Sequence, residues 1–223
     1  MQHMNVYVCA ILSALCWVGF AGKVQAHPHV FIESETEVLL NKKHQITGFR
    51  HKWIFDSQYT AFALVGMDVD KDGKYSPQEL EPLAKENIDS LHEYEFFTHG
   101  THKGKAVKLE NPIDYKLTYA NNVLALEFTL PAKEPVSILG NPLKLAIYDP
   151  EFFIAFLEPK KQKEIRLAST APKNCMFEKR KASMDQTGLV ESRLGQPMDL
   201  SNDENMGAGA FFAPSFLISC LAN

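Results

Sequence analysis

The sequence predicts an α+β fold: a mainly antiparallel, sandwich-like β body with an inserted EF-hand-like helix-loop-helix. Most of the chain after residue 27 consists of short runs rich in Val, Ile, Phe and Thr, separated by turn residues. Residues 56–92 instead carry apolar side chains at helical spacing on both sides of an acidic loop. Because strands flank the helices and do not alternate with them, we expect one domain, residues 27–223, that contains the helices as an insertion.

The first 26 residues have the pattern of a cleaved signal peptide. Val6 to Ala21 is nearly all apolar, and Val24 and Ala26 are the small residues that a signal peptidase requires. The apolar run is short for a membrane span. Residues 1–5 contain no Lys or Arg, so a retained anchor is the alternative. The expected location is the periplasm, with no membrane span after cleavage.

Two long strands open the mature chain. Val30–Leu40 and Gln45–Phe55 are rich in β-branched and aromatic residues, and a polar turn separates them, which predicts a β-hairpin. Side chains alternate between the two faces of a strand. The predicted core face of the first strand carries Val30, Ile32, Ser34, Thr36 and Val38.

The helical segment carries capping signals at both helix starts. Asp56 precedes the first helix, and Ser76, Pro77 and Glu79 form an N-cap, an N1 proline and a capping box at the second. The predicted helices cover Gln58–Met67 and Ser76–Leu91.

Shorter strands follow the helices. They are predicted over Glu95–His99, Lys105–Leu109, Tyr115–Tyr119, Val123–Leu130, Leu143–Tyr148, Phe152–Leu157, Ile165–Ala168 and Asn174–Phe177. Residues 131–142 are predicted as a connection. Residues 179–209 are polar and poorly patterned, and we expect mostly loop there. The apolar stretch Phe211–Leu221 is predicted as a final strand.

The strongest motif is the acidic loop between the helices, Asp68–Glu79. It has the spacing of a calcium-binding EF-hand loop, with carboxylates at positions 1, 3 and 5, glycine at 6 and glutamate at 12. Because only one such loop is present, a structural clamp is favoured over a switch. A solvated acidic turn is the alternative. The predicted Ca²⁺ ligands are Asp68, Asp70, Asp72, Lys74 (through its carbonyl), Ser76 and Glu79.

Two cysteines remain if cleavage follows Ala26. An even number in an oxidising compartment favours a disulfide between Cys175 and Cys220. Two thiols that bind a soft metal or exchange disulfides are the alternative.

Histidines at the predicted mature N-terminus indicate a transition-metal site. His27 would offer an α-amine and an imidazole, which together chelate copper, nickel or zinc, and His29 adds a second imidazole. Pro28 lacks an N–H, so further donors must come from elsewhere in the fold. The candidates are His51, His99, His102 and an acid such as Glu33 or Asp149. A solvated chain terminus is the alternative.

Composition excludes several classes of function. The formal charge of −4 and the absence of a basic stripe argue against nucleic-acid binding. The sequence lacks a nucleophile elbow, a phosphate-binding glycine-rich loop and a His-Glu-x-x-His motif, so we predict that the protein is not an enzyme.

Several segments together resemble a bacterial family of uncharacterised periplasmic proteins labelled "ABC-type transport system, periplasmic component". The matching segments are His27–Ile32, Trp53–Asp56, Asp68–Glu79, Tyr94–Thr98, Tyr148–Phe153 and the two late cysteines. The resemblance implies transition-metal handling beside an inner-membrane permease of the nickel/cobalt type. Residues 179–209 match no part of it.

The expected function is therefore a periplasmic metal-binding accessory protein for nickel, cobalt, zinc or copper transport, with a structural Ca²⁺ site. The alternative is a calcium-stabilised periplasmic interaction module without a transition-metal site. The sequence does not identify the transition metal, the direction of transport or the oligomeric state.

Overall fold

The chain forms two β-sheets and two helices in the part that the computed structural model describes, residues 28–182 and 207–221. The predicted signal peptide, His27 and residues 183–206 lie outside the described residues. The helices are α1, Ser57–Ala63, and α2, Pro77–Leu91. The strands are β1 Val30–Leu40, β2 Gln45–Phe55, β3 Thr98–His102, β4 Lys105–Ala106, β5 Ile113–Ala120, β6 Val123–Ser137, β7 Leu143–Ile147, β8 Ile154–Leu157, β9 Ile165–Leu167, β10 Cys175–Arg180 and β11 Ser215–Cys220.

The larger sheet is built around the first hairpin. Its order is β5-β6-β2-β1-β8, and β9 also pairs with β1. The predicted hairpin and its core face are confirmed, because Ile32, Ser34, Thr36 and Val38 are all buried. Most pairings are antiparallel, but β8 and β9 both run parallel to β1. The smaller sheet has the order β10-β11-β7-β3-β4.

Side-chain caps determine where both helices begin. The Asp56 carboxylate accepts hydrogen bonds from the N–H groups of Gln58 and Tyr59. Ser76 and Glu79 form the predicted capping box of α2. Helix α1 ends at Ala63, earlier than predicted, because the chain turns over residues 64–66 before the acidic loop.

The predicted strand Glu95–His99 is wrong over most of its length. Residues 92–97 form a 3₁₀ segment, and the strand starts only at Thr98. Glu95, Phe96 and Phe97 have φ values of 50°, 53° and 49°, and the two phenylalanines are both buried. Two consecutive buried aromatics contradict the alternation of a strand, since successive strand residues point to opposite faces. We call Glu95–Phe97 the left-handed segment.

Several further boundaries differ from the sequence prediction. The final strand, for example, starts at Ser215 and not at Phe211, because residues 208–211 form a 3₁₀ turn. Strand β6 continues through Pro131 to Ser137, where a connection was expected, and Pro131 pairs with Gly48 beside a register shift. Strand β4 covers only two residues.

The core has two parts. One joins the helices to the larger sheet and includes Leu80, Trp53 and Phe128. The other joins the two sheets and includes Phe49 and Phe216. Full burial of a side chain such as Leu80 contributes roughly 1.5–3 kcal/mol. The larger sheet therefore packs on α2 at one end and on the smaller sheet at the other. In the described residues, no helix is long and apolar enough to cross a membrane.

Candidate cation site and its surroundings

The acidic loop connects α1 to α2 and is organised by its own carboxylates. Gly73 has a φ of 78°, a conformation that favours glycine, and its N–H donates to Asp68 Oδ2 at 3.1 Å. Asp70 Oδ1 accepts from the N–H of Asp72 at 3.1 Å, and Asp72 Oδ1 accepts from the N–H of Lys74 at 2.8 Å. These bonds fold the loop around its acidic side chains.

Three carboxylates of this loop converge. Asp68, Asp70 and Glu79 each offer an oxygen, and these three atoms lie within 4.8 Å of one another. In the described ranges this is the only group of three or more His, Cys, Asp or Glu side chains with such geometry. Asp68 Oδ1 is shielded from solvent and has no hydrogen-bond partner. A buried carboxylate oxygen without a donor is costly, and a cation would satisfy it.

Glu79 both caps α2 and faces the loop. Its Oε1 accepts from the N–H groups of Val69 and Asp70 at 2.8 and 3.3 Å, and its Oε2 accepts from the Ser76 N–H and hydroxyl at 2.9 and 2.8 Å. Hydrogen bonds lower the pKa of Glu79 from 4.5 to about 2. Those from Ser76 have the largest effect, and those from Val69 and Asp70 add to it. The carboxylate is therefore ionised at neutral pH. A cation at Glu79 competes with these donors for the same lone pairs.

The other predicted ligands are arranged differently. Asp72 lies outside the convergent group. The Ser76 hydroxyl is turned toward the helix cap, where it contacts Glu79. Lys74 is exposed and was expected to supply only its carbonyl.

His51 is buried, with both ring nitrogens engaged. Nε2 lies 3.2 Å from the Thr98 hydroxyl, and Nδ1 lies 3.1 Å from the Thr36 hydroxyl. The Thr98 hydroxyl donates its proton to the carbonyl of Phe96, so it accepts from His51 Nε2–H, and Nδ1 accepts from Thr36. Burial lowers the pKa of His51 from 6.5 to about 3. In this structure His51 has no free nitrogen for a metal.

The remaining predicted histidine ligands lie at separate places. The His29 ring is exposed and contacts Phe153 at a centroid distance of 4.7 Å. His99 stacks on Tyr148 at 4.0 Å, and its Nε2 lies 3.1 Å from the carbonyl of Tyr148. His102 ends β3, and its Nδ1 is shielded without a partner. Across residues 28–182 and 207–221, none of these histidines belongs to a convergent group of three ligands.

The predicted disulfide is confirmed. Cys175 and Cys220 lie directly opposite each other on β10 and β11 and are bonded. Such bonds persist in oxidising compartments.

Sequence reasoning missed a groove beside the helices. It is lined by side chains from both helices, from the end of the 3₁₀ segment and from the loop between β7 and β8. The sequence carries no signal for it, because only the fold exposes aromatic residues such as Phe62 and Tyr94 and brings them together.

Comparison with known proteins places the chain in a family. A family model described as "Protein of unknown function (DUF1007)" matches residues 12–220. An uncharacterized protein from Haemophilus influenzae is 25% identical over 197 residues, which are 88% of this chain and 92% of the relative. An uncharacterized 15.5 kDa protein in the trpE 3′ region of Spirochaeta aurantia is 29% identical over 86 residues, which are 39% of this chain and 61% of the relative. Because the family model matches nearly the whole chain, the chain belongs to the DUF1007 family.

Proposed function

We propose that the protein is a calcium-stabilised binding module of the periplasm. The observation that carries the proposal is the convergence of Asp68, Asp70 and Glu79 around a shielded Asp68 oxygen without a partner. Calcium is a hard cation that prefers oxygen ligands, and the loop also has the spacing of an EF-hand. The disulfide supports an oxidising compartment. The proposal includes no catalytic reaction.

Bound calcium would fix the two helices on the larger sheet. The loop joins α1 to α2, and α2 contributes Leu80, Ala84 and Ile88 to the core. A cation held by Asp68 and Glu79 ties the residues before the loop to the first turn of α2. The expected effect is therefore on stability.

The first prediction is a calcium-dependent melting temperature. With a dissociation constant of roughly 0.1–1 mM, 10 mM Ca²⁺ should stabilise the protein by about 1.4–2.7 kcal/mol. For a protein of this length that corresponds to a rise of roughly 3–11 °C over a chelator control, measured by calorimetry. Asp70→Ala should lose the rise because it removes one carboxylate ligand and leaves no oxygen in its place.

Glu81→Ala is the matched control for that experiment. Glu81 is exposed on α2 and lies outside the convergent group, so its variant should keep the full calcium effect. An equal rise in Asp70→Ala and in the unchanged protein would contradict a site at this loop.

A transition-metal role is the second candidate function. It is favoured by the position of His29, which is exposed and directly precedes β1. In this role His27 and His29 would hold nickel, cobalt, zinc or copper for an inner-membrane permease.

The second prediction concerns this terminal site. If one alanine is inserted between Ala26 and His27, the α-amine after cleavage belongs to that alanine and no longer to the residue that carries the imidazole. Metal binding should therefore weaken at least tenfold. Calorimetric titration of the mature protein with each of the four metals measures this, and His92→Ala serves as a control at an exposed histidine. An unchanged affinity would reject the terminal site and leave the calcium module.

A further inference from the structure

A surface groove of about 680 Å³ lies where both helices meet the loop between β7 and β8. We call it the aromatic groove. Helix α1 and the 3₁₀ segment each contribute aromatic side chains to it, and the loop contributes one more. These side chains are Tyr59, Phe62, Tyr94, Phe97 and Phe153. The volume falls in the range of sites that enclose small molecules, roughly 300–1,000 Å³.

Three of these aromatic side chains are unusually open to solvent. Phe62 is 78% exposed, and Tyr94 and Phe153 are each 44% exposed. Tyr94 is held in place because it stacks on the buried Phe97 at a centroid distance of 5.4 Å. Adjacent exposed aromatics that line one concave surface are typical of a binding site.

The left-handed segment explains why Tyr94 faces outward. Its backbone conformation directs Phe96 and Phe97 into the core while Tyr94 stays at the surface. Non-glycine residues in this conformation are strained, and such strain is found preferentially at binding and catalytic sites.

Carboxylates make the groove negative. Glu86, Asp149 and Glu151 line it, and no Lys or Arg does. Among the described residues none of the three forms an ion pair. Asp149 is only 4% exposed and accepts hydrogen bonds of 2.9 Å from the N–H groups of Glu151, Phe153 and Ile154. It therefore places a fixed charge at the base of the loop.

The tyrosines of the groove respond to this charge. The pKa of Tyr94 is raised, chiefly by the neighbouring Glu93 and also by Glu151 and Asp149. Burial raises the pKa of Tyr59, and the charge of Glu86 raises it further. The negative potential thus acts on two walls of the groove.

We propose that the aromatic groove binds a small organic cation, a primary ammonium or guanidinium group on an apolar body. The faces of Tyr94 and Phe153 attract a cation, and the carboxylates complement its charge. The apolar body would pack against Tyr59 and Phe62. A bare metal ion fits less well, because in the described chain no three ligand atoms converge at this groove.

The test uses 2-phenylethylammonium as the probe at neutral pH. Its neutral analogue 2-phenylethanol and the anion 3-phenylpropanoate share the same ring and a similar length. We expect the ammonium to bind at least tenfold more tightly than the alcohol, and the anion to bind more weakly than either. Calorimetry or NMR titration of the disulfide-bonded mature protein gives the three constants. Ammonium binding alone should weaken at high salt.

Variants locate the site. Phe62→Ala and Glu151→Gln should each weaken ammonium binding about three- to tenfold. Phe62 is almost fully exposed, so its truncation should leave the fold intact. Phe177→Ala and Glu134→Gln are matched controls, since both residues are exposed and lie outside the groove.

Three outcomes would overturn the proposal. One is equal affinity for the ammonium and the alcohol, and another is an unchanged constant in both groove variants. The third is a neutral capped Phe-Leu dipeptide that binds more tightly than 2-phenylethylammonium, which would assign the groove to an apolar peptide segment of a partner.

Discussion

At the scale of single residues, His51 makes the stability of the fold depend on pH. Its ring lies between Phe49, Trp53 and Phe128, and two threonine hydroxyls satisfy both nitrogens. Burial holds its pKa at about 3 in the folded chain, against 6.5 for an imidazole in water. Below pH 6.5 the unfolded chain therefore binds a proton that the folded chain does not. The stability contributed by neutral His51 is complete above pH 6.5 and is lost as pH falls toward 3.

The third prediction follows from this linkage. Between pH 6.5 and 5, His51 should lower the free energy of unfolding by about 1.6 kcal/mol, since one proton corresponds to about 1.4 kcal/mol per pH unit and the unfolded imidazole is half protonated at pH 6.5. His51→Phe should lose this part of the pH dependence, although it leaves the Thr36 hydroxyl unpaired and lowers stability overall. Urea unfolding at several pH values measures the slope.

The slope that remains in His51→Phe has another source. Burial also lowers the pKa of His99, which therefore contributes in the same direction. His92→Phe at an exposed site should keep the full original slope. Identical slopes in His51→Phe and the unchanged protein would mean that His51 is protonated in the folded state.

At the scale of elements, the left-handed segment stores strain in the turn between α2 and β3. Each left-handed non-glycine residue costs roughly 1–2 kcal/mol. Burial of Phe96 and Phe97 offsets the cost, since both are at most 5% exposed. Glu95 has the same conformation but is exposed, so little offsets its strain.

The fourth prediction is that Glu95→Gly stabilises the protein. Glycine adopts a φ of 50° without a Cβ clash, and we expect a gain of about 0.5–1 kcal/mol in denaturant unfolding. Glu93→Gly is the matched control. Glu93 has a helical backbone in the same segment, so glycine there should instead destabilise by about 0.5–1 kcal/mol. A loss of stability in both variants would show that the conformation of Glu95 is unstrained.

The elements that local patterns determine could be predicted from the sequence. The hairpin was predictable because alternation over Val30–Leu40 matches a strand that is buried on one face. The start of α2 was predictable because Ser76 and Glu79 satisfy each other locally. The 3₁₀ segment over residues 92–97 was not predictable. An aromatic run is typical of a strand, and only the structure shows that the consecutive Phe96 and Phe97 are both buried.

In the candidate site, too, some features were predictable from local sequence and others were not. Asp68, Asp70 and Glu79 were predictable from loop spacing, because twelve consecutive residues supply the whole pattern. The hydrogen bonds of His51 were not predictable, because its partners Thr36 and Thr98 come from different strands. The aromatic groove combines residues from two helices and a distant loop, and no local spacing indicates it.

At the scale of the whole molecule, the disulfide joins the last strand to the body. Cys175 and Cys220 are separated by 45 positions, and β11 inserts between β10 and β7. The same C-terminal region supports the groove. Gly209 lies against the β7–β8 loop so closely that an added Cβ would clash with the carbonyl of Asp149.

The fifth prediction concerns the loss of this bond. In the chain-entropy description, closing such an interval stabilises the fold by about 4 kcal/mol, and measured values are typically 2–4 kcal/mol. Cys175→Ser/Cys220→Ser should therefore unfold at markedly lower denaturant concentration. Reducing agent should lower the stability of the unchanged protein equally and leave the double variant unaffected. A double variant as stable as the oxidised protein would contradict this role.

The parallel pairing of β1 with β8 and β9 affects the order in which the chain folds. The hairpin of β1 and β2 closes across a short turn and can form early, but the other edge of β1 waits for residues 154–167. An unpaired strand edge is a template for pairing with other chains. A chain that ends before β8, or is only partly folded, therefore exposes this edge and is an aggregation hazard.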